Sequence, residues 1–208
     1  MAAIPGYLIV LGHSLDGAKM AVYSAALPPI YAKFGGHYLG IGGPGRGVEL
    51  LEGGWFDHSA VLARFPSVDA PHKFWFSPEY TKAKELRIGA GTFNVFAAPG
   101  TGKEAPKGQP TFLISVYRPF DPDVLRPIRA NWSDRLKQRG IDLIVDAKFS
   151  DMEKLEGDLR DFDIEIAAFP TQAAATGFWN DPTTKASRDA RSKVAGYNTF
   201  LMAGLPSK

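Results

Sequence analysis

The sequence contains no cysteine. That excludes disulfides, thiolate metal sites and a cysteine nucleophile. It also lacks charge of one sign. Lys and Arg number 24 and Asp and Glu 22, which leaves a net charge of +2 with the signs interspersed. Such a balance offers no electrostatic footprint for nucleic acid or an anionic membrane surface. No apolar run approaches the roughly 18 residues of a membrane-spanning helix. The N-terminus lacks a basic segment followed by an apolar core and a small-residue cleavage site, so the expectation is a cytoplasmic protein. The four histidines share no short spacing, and no metal site is expected from them. The glycine-rich stretch "GIGGPGRG" (40–47) lacks the Gly-Lys-Ser/Thr ending of a phosphate loop and runs into a strand pattern, so it reads as a hairpin tip or lid. No cofactor is expected.

What the chain does have is repetition. Phe-Trp-x-x-Pro occurs at Phe74–Pro78 and again at Phe178–Pro182, 104 residues later in a chain of 208. The same offset aligns Leu51-Glu52-Gly53 with Leu155-Glu156-Gly157, Phe65-Pro66 with Phe169-Pro170, Arg87 with Arg191, and Asn94 with Asn198. One residue of gap brings Leu8-Ile9 onto Leu113-Ile114 and Asp16 onto Asp121. Self-similarity at so long a period points to duplication of a whole domain. The expected organisation is a domain at 1–98, a Gly/Pro/Lys-rich linker at 99–110, and a second domain at 111–208. Each is small enough to need the other's surface for burial.

Within each copy the pattern reads β-α-β-β-α-β. "GYLIVLGH" is a strand. A helix follows, with Asp16 as N-cap and Gly35-Gly36 as its stop, and Pro28-Pro29 should kink or split it. A second helical segment breaks at Ser77-Pro78. This order is the ferredoxin-like split βαβ, in which two helices cover one face of an antiparallel sheet. "YLIVL" and "FLISV" are apolar on both alternating sets, so both sheet faces should be buried. The expected fold is therefore α+β, two tandem ferredoxin-like units packed sheet to sheet.

The strand opening "YLIV", the "LEG" before the third strand, the "FP" that ends it and the stretch "FWFSPEY" with Arg87 resemble a family of unknown function, number 1330, in the dimeric α/β-barrel superfamily. The resemblance covers Pro5 to about Ala98 well and Gln109 to Ala203 more loosely. It implies an intramolecular dimeric α/β-barrel. Relatives in the superfamily include cofactor-free monooxygenases, muconolactone isomerases, polyketide cyclases and haem enzymes, so the activity it implies is broad. The second copy departs from the family pattern at Asp181-Pro182-Thr183-Thr184, where Thr184 replaces Tyr80.

Functional information should lie in what the duplication did not repeat. His13 aligns with Arg118, Arg64 with Ala168, Tyr80 with Thr184, and Glu165 with Val61. Alternation puts His13 on the face of Tyr7, Ile9 and Leu11, and Arg118 on that of Phe112, Ile114 and Val116. A histidine is the usual proton carrier near neutral pH, and an arginine clamps an anion. The expected catalytic residues are His13, Tyr80 and Arg118. Arg64, Tyr31, Trp55, Trp75, Glu165 and Trp179 are candidates for substrate contact, with the packing reading favoured for the two tryptophans at helical spacing. His58 lies near a turn and reads as surface. These residues suggest cofactor-independent acid/base chemistry on a small aromatic or lactone acid, by a lyase, decarboxylase or isomerase. The alternative is a barrel that binds a small molecule or assembles without catalysis. The chain could act as a monomeric pseudo-dimer or a homodimer.

Overall fold

A computed structural model describes residues 3–55 and 57–206. The first half contains β1 (Gly6–His13), α1 (Gly17–Lys33), β2 (His37–Pro44), β3 (Gly47–Glu52), β4 (Ser59–Phe65), α2 (Ala70–Trp75), α3 (Pro78–Glu85) and β5 (Thr92–Pro99). The second half contains β6 (Thr111–Pro119), α4 (Pro122–Gln138), β7 (Asp142–Ala147), β8 (Glu153–Glu156), β9 (Asp163–Phe169), α5 (Gln172–Asn180), α6 (Pro182–Arg191) and β10 (Ala195–Ala203).

All ten strands join one curled sheet in the order β7-β9-β6-β10-β3-β2-β4-β1-β5-β8. The order β2-β4-β1-β5 recurs as β7-β9-β6-β10. Between these blocks, each half lends a strand to the other. β3 pairs with β10, and β8 pairs with β5. Past β5 the chain hooks onto β7. The Gly100–Val145 bridge and the bond from the Thr101 amide to the Ile144 carbonyl, 3.0 Å, bring the far edges of the sheet together. The exchange strands are a difference from the sequence reading, which has two sheets meeting only face to face. β8 is absent from that reading because Glu153-Lys154-Leu155-Glu156 carries three charges and is only partly covered.

The concave side of the sheet is filled by side chains. Tyr7, Ile9, Leu11, Leu62, Phe96, Phe112, Ile114, Val116, Ile166 and Phe200 form one continuous core. Helices cover the convex side over two further cores, one around Phe65, Phe74 and Trp75, the other around Trp132, Phe169, Phe178 and Trp179. β1 and β6 are therefore covered on both faces, as their apolar runs predict.

Pro28 and Pro29 do not split α1, which runs continuously from Gly17 to Lys33 with both inside. Both prolines sit on its exposed face, where carbonyls freed by a missing N–H can bond to water. The Ser77-Pro78 break is real. Ser77 Oγ donates to the Phe74 carbonyl (2.8 Å) and accepts from the Tyr80 amide (3.2 Å), closing one helix and capping the next. Asp181 plays the same part in the second half, accepting from the Thr183 and Thr184 amides. Each Phe-Trp-x-x-Pro thus supplies an aromatic plug followed by a proline at the first turn of a new helix, where its missing donor is harmless.

Candidate functional site

β1 ends at His13, beside the first residues of its neighbours. Gly12 pairs with Ser59 of β4 and His13 with Thr92 of β5. Ser14 then turns the chain at a φ of 53° towards Asp16, which caps α1 through the Ala18 and Lys19 amides. A serine in the left-handed region costs free energy, and such outliers cluster at functional sites. Among the described residues the other non-glycine with positive φ is Asp161, at 57°.

The second contribution comes from the loop between β3 and β4. Gly53 opens it at a φ of 96° and lies so close to Asn198 that a Cβ would collide with that side chain. The Gly54 amide donates to Asn198 Oδ1 at 2.9 Å. The loop is thus pinned by a residue of β10, from the opposite half. The second half mirrors this. Gly157 lies against Asn94, whose Oδ1 accepts from the Leu159 amide at 2.8 Å.

Pinned in this way, the first loop places Trp55, Asp57 and His58 against His13. Asp57 Oδ2 lies 2.8 Å from His13 Nδ1, and its other oxygen lies 3.4 Å from His58 Nδ1. The rings of His13 and His58 stack at 5.1 Å, and His58 stacks on Trp55 at 4.7 Å with only 17° between planes. A three-ring pile, Trp55–His58–His13, therefore carries a carboxylate along its edge. His13 and Asp57 are 44% and 59% exposed, and His58 21%. Burial pushes the His58 imidazole below its ordinary pKa, and neighbouring His13 adds to that, while Asp57 opposes both. Behind Trp55 and His58 a recess of about 20 Å³ is closed by Pro44, Val48, Leu50 and Phe200.

The distances between Asp57 and the imidazoles are short, yet neither Nδ1 makes a directed hydrogen bond. Chemically, the arrangement offers a solvent-facing imidazole with a carboxylate against it, an aromatic wall, and three ligand atoms within 4.8 Å of one another.

Arg118 follows Phe112, Ile114 and Val116 of the filled concave face, as His13 follows Tyr7, Ile9 and Leu11. Its Nε and Nη2 donate to the carbonyls of Asp161 (3.1 Å) and Arg160 (2.8 Å). Those residues adjoin Leu159, which Asn94 holds two positions along β5 from the partner of His13. His13 and Arg118 therefore crown the same end of the sheet, each beside the loop between third and fourth strands of its own half.

The other sequence candidates lie elsewhere. Tyr80, Tyr31 and Trp75 are packed between helices and sheet in the first half. Tyr80 bonds to the Tyr23 hydroxyl at 2.7 Å, and burial drives its pKa far up. Trp179 is packed in the second half under the Arg188 guanidinium, 3.9 Å from its ring. Glu165 is 3% exposed, 3.5 Å from Arg129 and 3.8 Å from Arg191, on the helix-covered side. Arg64 pairs with Glu104 of the linker. It stands five residues along β4 from Ser59, about 17 Å from the His13 end at 3.4 Å per residue. Of the nine candidates, the structure gathers His13, Trp55 and Arg118 at one end of the sheet.

Asp57 and His58 escaped the sequence reading. All four histidines lie in the first copy and face other residues in the second, so the repeat alone does not single out His58.

Comparison with known proteins agrees with the architecture. Residues 5–101 match the model of a domain of unknown function, DUF1330. No curated protein sequence matches the chain. A solved protein of Fusobacterium nucleatum described as a candidate monooxygenase is similar over 100% of this chain and 99% of its own, with a TM-score of 0.54 and 12% identity. One from Lactobacillus acidophilus with the same description gives 0.52 and 13%, over 99% and 100%. An anthrone oxidase-like protein gives 0.54 and 11%, over 97% and 93%. At such identities the likeness concerns the fold. It extends over nearly the whole chain and not one half alone. Over residues 5–101 the chain is similar to the DUF1330 family.

Proposed function

We propose that this chain is an acid/base enzyme acting on a small aromatic or lactone carboxylate, as an isomerase, lyase or decarboxylase, at the end of the sheet where His13 and Arg118 emerge. We read the architecture as two ferredoxin-like domains, 1–98 and 111–208, joined by the linker 99–110 into an intramolecular dimeric α/β-barrel. The observation that carries the functional reading is the His13–Asp57 contact. A carboxylate 2.8 Å from Nδ1 sets negative charge beside the imidazole and leaves Nε2 for the substrate. In an isomerisation Nε2 removes a proton from a carbon next to the carbonyl. The electron pair moves onto the carbonyl oxygen, and the same proton returns to another carbon, with no net redox change. The exposed Trp55–His58 stack gives an aromatic ring a flat surface. Arg118 supplies positive charge for the carboxylate. Tyr80, Tyr31, Trp75 and Trp179 serve packing in this reading.

The solved relatives described as monooxygenases and anthrone oxidase-like favour a second reading, oxygenation of an aromatic substrate at the same mouth. One screen separates the two. Phenolic acids and lactones are first ranked by the rise in melting temperature they cause. Hits are then assayed for turnover with and without oxygen. Acid/base chemistry proceeds without oxygen, and His13→Gln lowers kcat/KM by about 10²–10⁴-fold. Turnover that requires oxygen, or that survives His13→Gln intact, rejects the first reading.

A further inference from the structure

We propose that His13, Asp57 and His58 form a binding site for one divalent first-row transition ion. Three observations carry this. First, the donor set is two imidazole nitrogens and one carboxylate oxygen, converging within 4.8 Å. Ligands on a common ion at about 2.0–2.2 Å stand roughly 3–3.6 Å apart; the two Asp57 oxygens approach one imidazole each, Oδ2 at 2.8 Å from His13 Nδ1 and Oδ1 at 3.4 Å from His58 Nδ1. Second, both Nδ1 atoms are shielded from solvent and lack a directed hydrogen bond even though a carboxylate lies within reach. A pair arranged for hydrogen bonding alone would put the oxygen on the N–H axis. Donors that lie this close to one another without sharing a hydrogen bond suit a common cation. Third, the framework is held before any ion arrives. Asn198 pins the loop that carries two of the three ligands.

Two histidines with one carboxylate and a solvent-facing side suit iron, cobalt, nickel or zinc better than calcium or magnesium, which prefer oxygen ligands throughout. The exposed side leaves positions for water or for an oxygen of a carboxylate or carbonyl substrate, which the ion would polarise as a Lewis acid. The second half has no such set, because Arg118 and Phe162 occupy the aligned positions. One ion per chain is therefore the expected stoichiometry. The inference goes beyond the acid/base reading and does not depend on it, since a bound ion takes the lone pair at His13 Nδ1 for itself.

The test uses full-length protein freed of metal by a chelator and titrated with Zn²⁺ by calorimetry and with Co²⁺ by visible absorption, without substrate. The expected result is one site with a micromolar or tighter Kd, weakened at least tenfold in His13→Ala, His58→Ala and Asp57→Asn. His72→Ala, which alters an unrelated histidine paired with Glu153, should bind as the parent does. Should a variant lose its fold, histidine ring NMR of the parent protein decides: Zn²⁺ should shift the Nδ1 signals of His13 and His58 and spare those of His37 and His72. Absence of stoichiometric binding, equal affinity in all variants, or shifts confined to other histidines overturns the proposal. Turnover by metal-free protein tests the acid/base reading separately.

Discussion

At the scale of single residues, position and protonation are set by very short-range partners. Asp181 shows this away from the candidate site. Its carboxylate accepts from the Thr183 hydroxyl and amide, and from Arg139 at 2.7 Å. The Thr183 hydroxyl and Arg139 hold its pKa well below the usual carboxylate range. A carboxylate whose pKa is depressed by folding contributes stability that is complete above the unfolded value, about 3.9 for aspartate, and fades as pH falls below it. Melting temperature measured between pH 6 and 2 should therefore fall less steeply in Asp181→Asn than in the parent. Equal slopes would show that Asp181 titrates normally. His13 is positioned in the same local way, by Asp57 and the ring of His58. Nothing in the local sequence announces Asp57 as its partner, because the two are 44 positions apart and the pairing exists only once β1 and β4 lie side by side.

At the scale of elements, the site depends on a loop whose conformation glycine alone permits. Gly53 combines a φ of 96° with contact against Asn198. Gly53→Ala should destabilise the protein by about 1–3 kcal/mol, read as a lower denaturation midpoint. It should also impair any activity or metal binding at Trp55, Asp57 and His58 beyond the loss of stability. An unchanged midpoint would mean that the loop relaxes freely. The Leu-Glu-Gly repeat that precedes this loop is visible in the sequence, and so are the helix breaks at Pro78 and Pro182, because proline and capping chemistry act over three or four residues. The continuity of α1 was not legible, since the cost of Pro28-Pro29 depends on which face of the helix meets water. β8 was not legible either. It is held by pairing with β5 rather than by an apolar pattern of its own.

At the scale of the whole molecule, the repeated residues are those that tie the halves together. Arg87 of the first half makes a two-pronged ion pair with Glu156 of the second, at 2.9 and 2.6 Å. Arg191 of the second half reaches back to Glu52 of the first. Asn94 and Asn198 do the same for the two loops. Both arginines are buried, so removing a partner leaves charge without water or counterion. Glu156→Ala, which strands the buried Arg87, should cost about 3 kcal/mol, read as a lower denaturation midpoint. Unfolding in urea should remain a single transition, because the exchange strands β3 and β8 leave neither half with a complete sheet. Two separated transitions would contradict this coupling.

The sequence by itself determined the internal repeat and the sites where helices break, because each follows from capping or from like residues at a fixed offset. It also put His13 and Arg118 at aligned positions near the ends of β1 and β6. Only the tertiary structure decided that Glu52 and Glu156 would serve the opposite half, that Tyr80 and Trp75 would be sealed under helices, and that His13, Asp57 and His58 would meet. Those outcomes rest on contacts between strands distant in the chain, and side-chain chemistry carries no record of which distant strand will lie alongside.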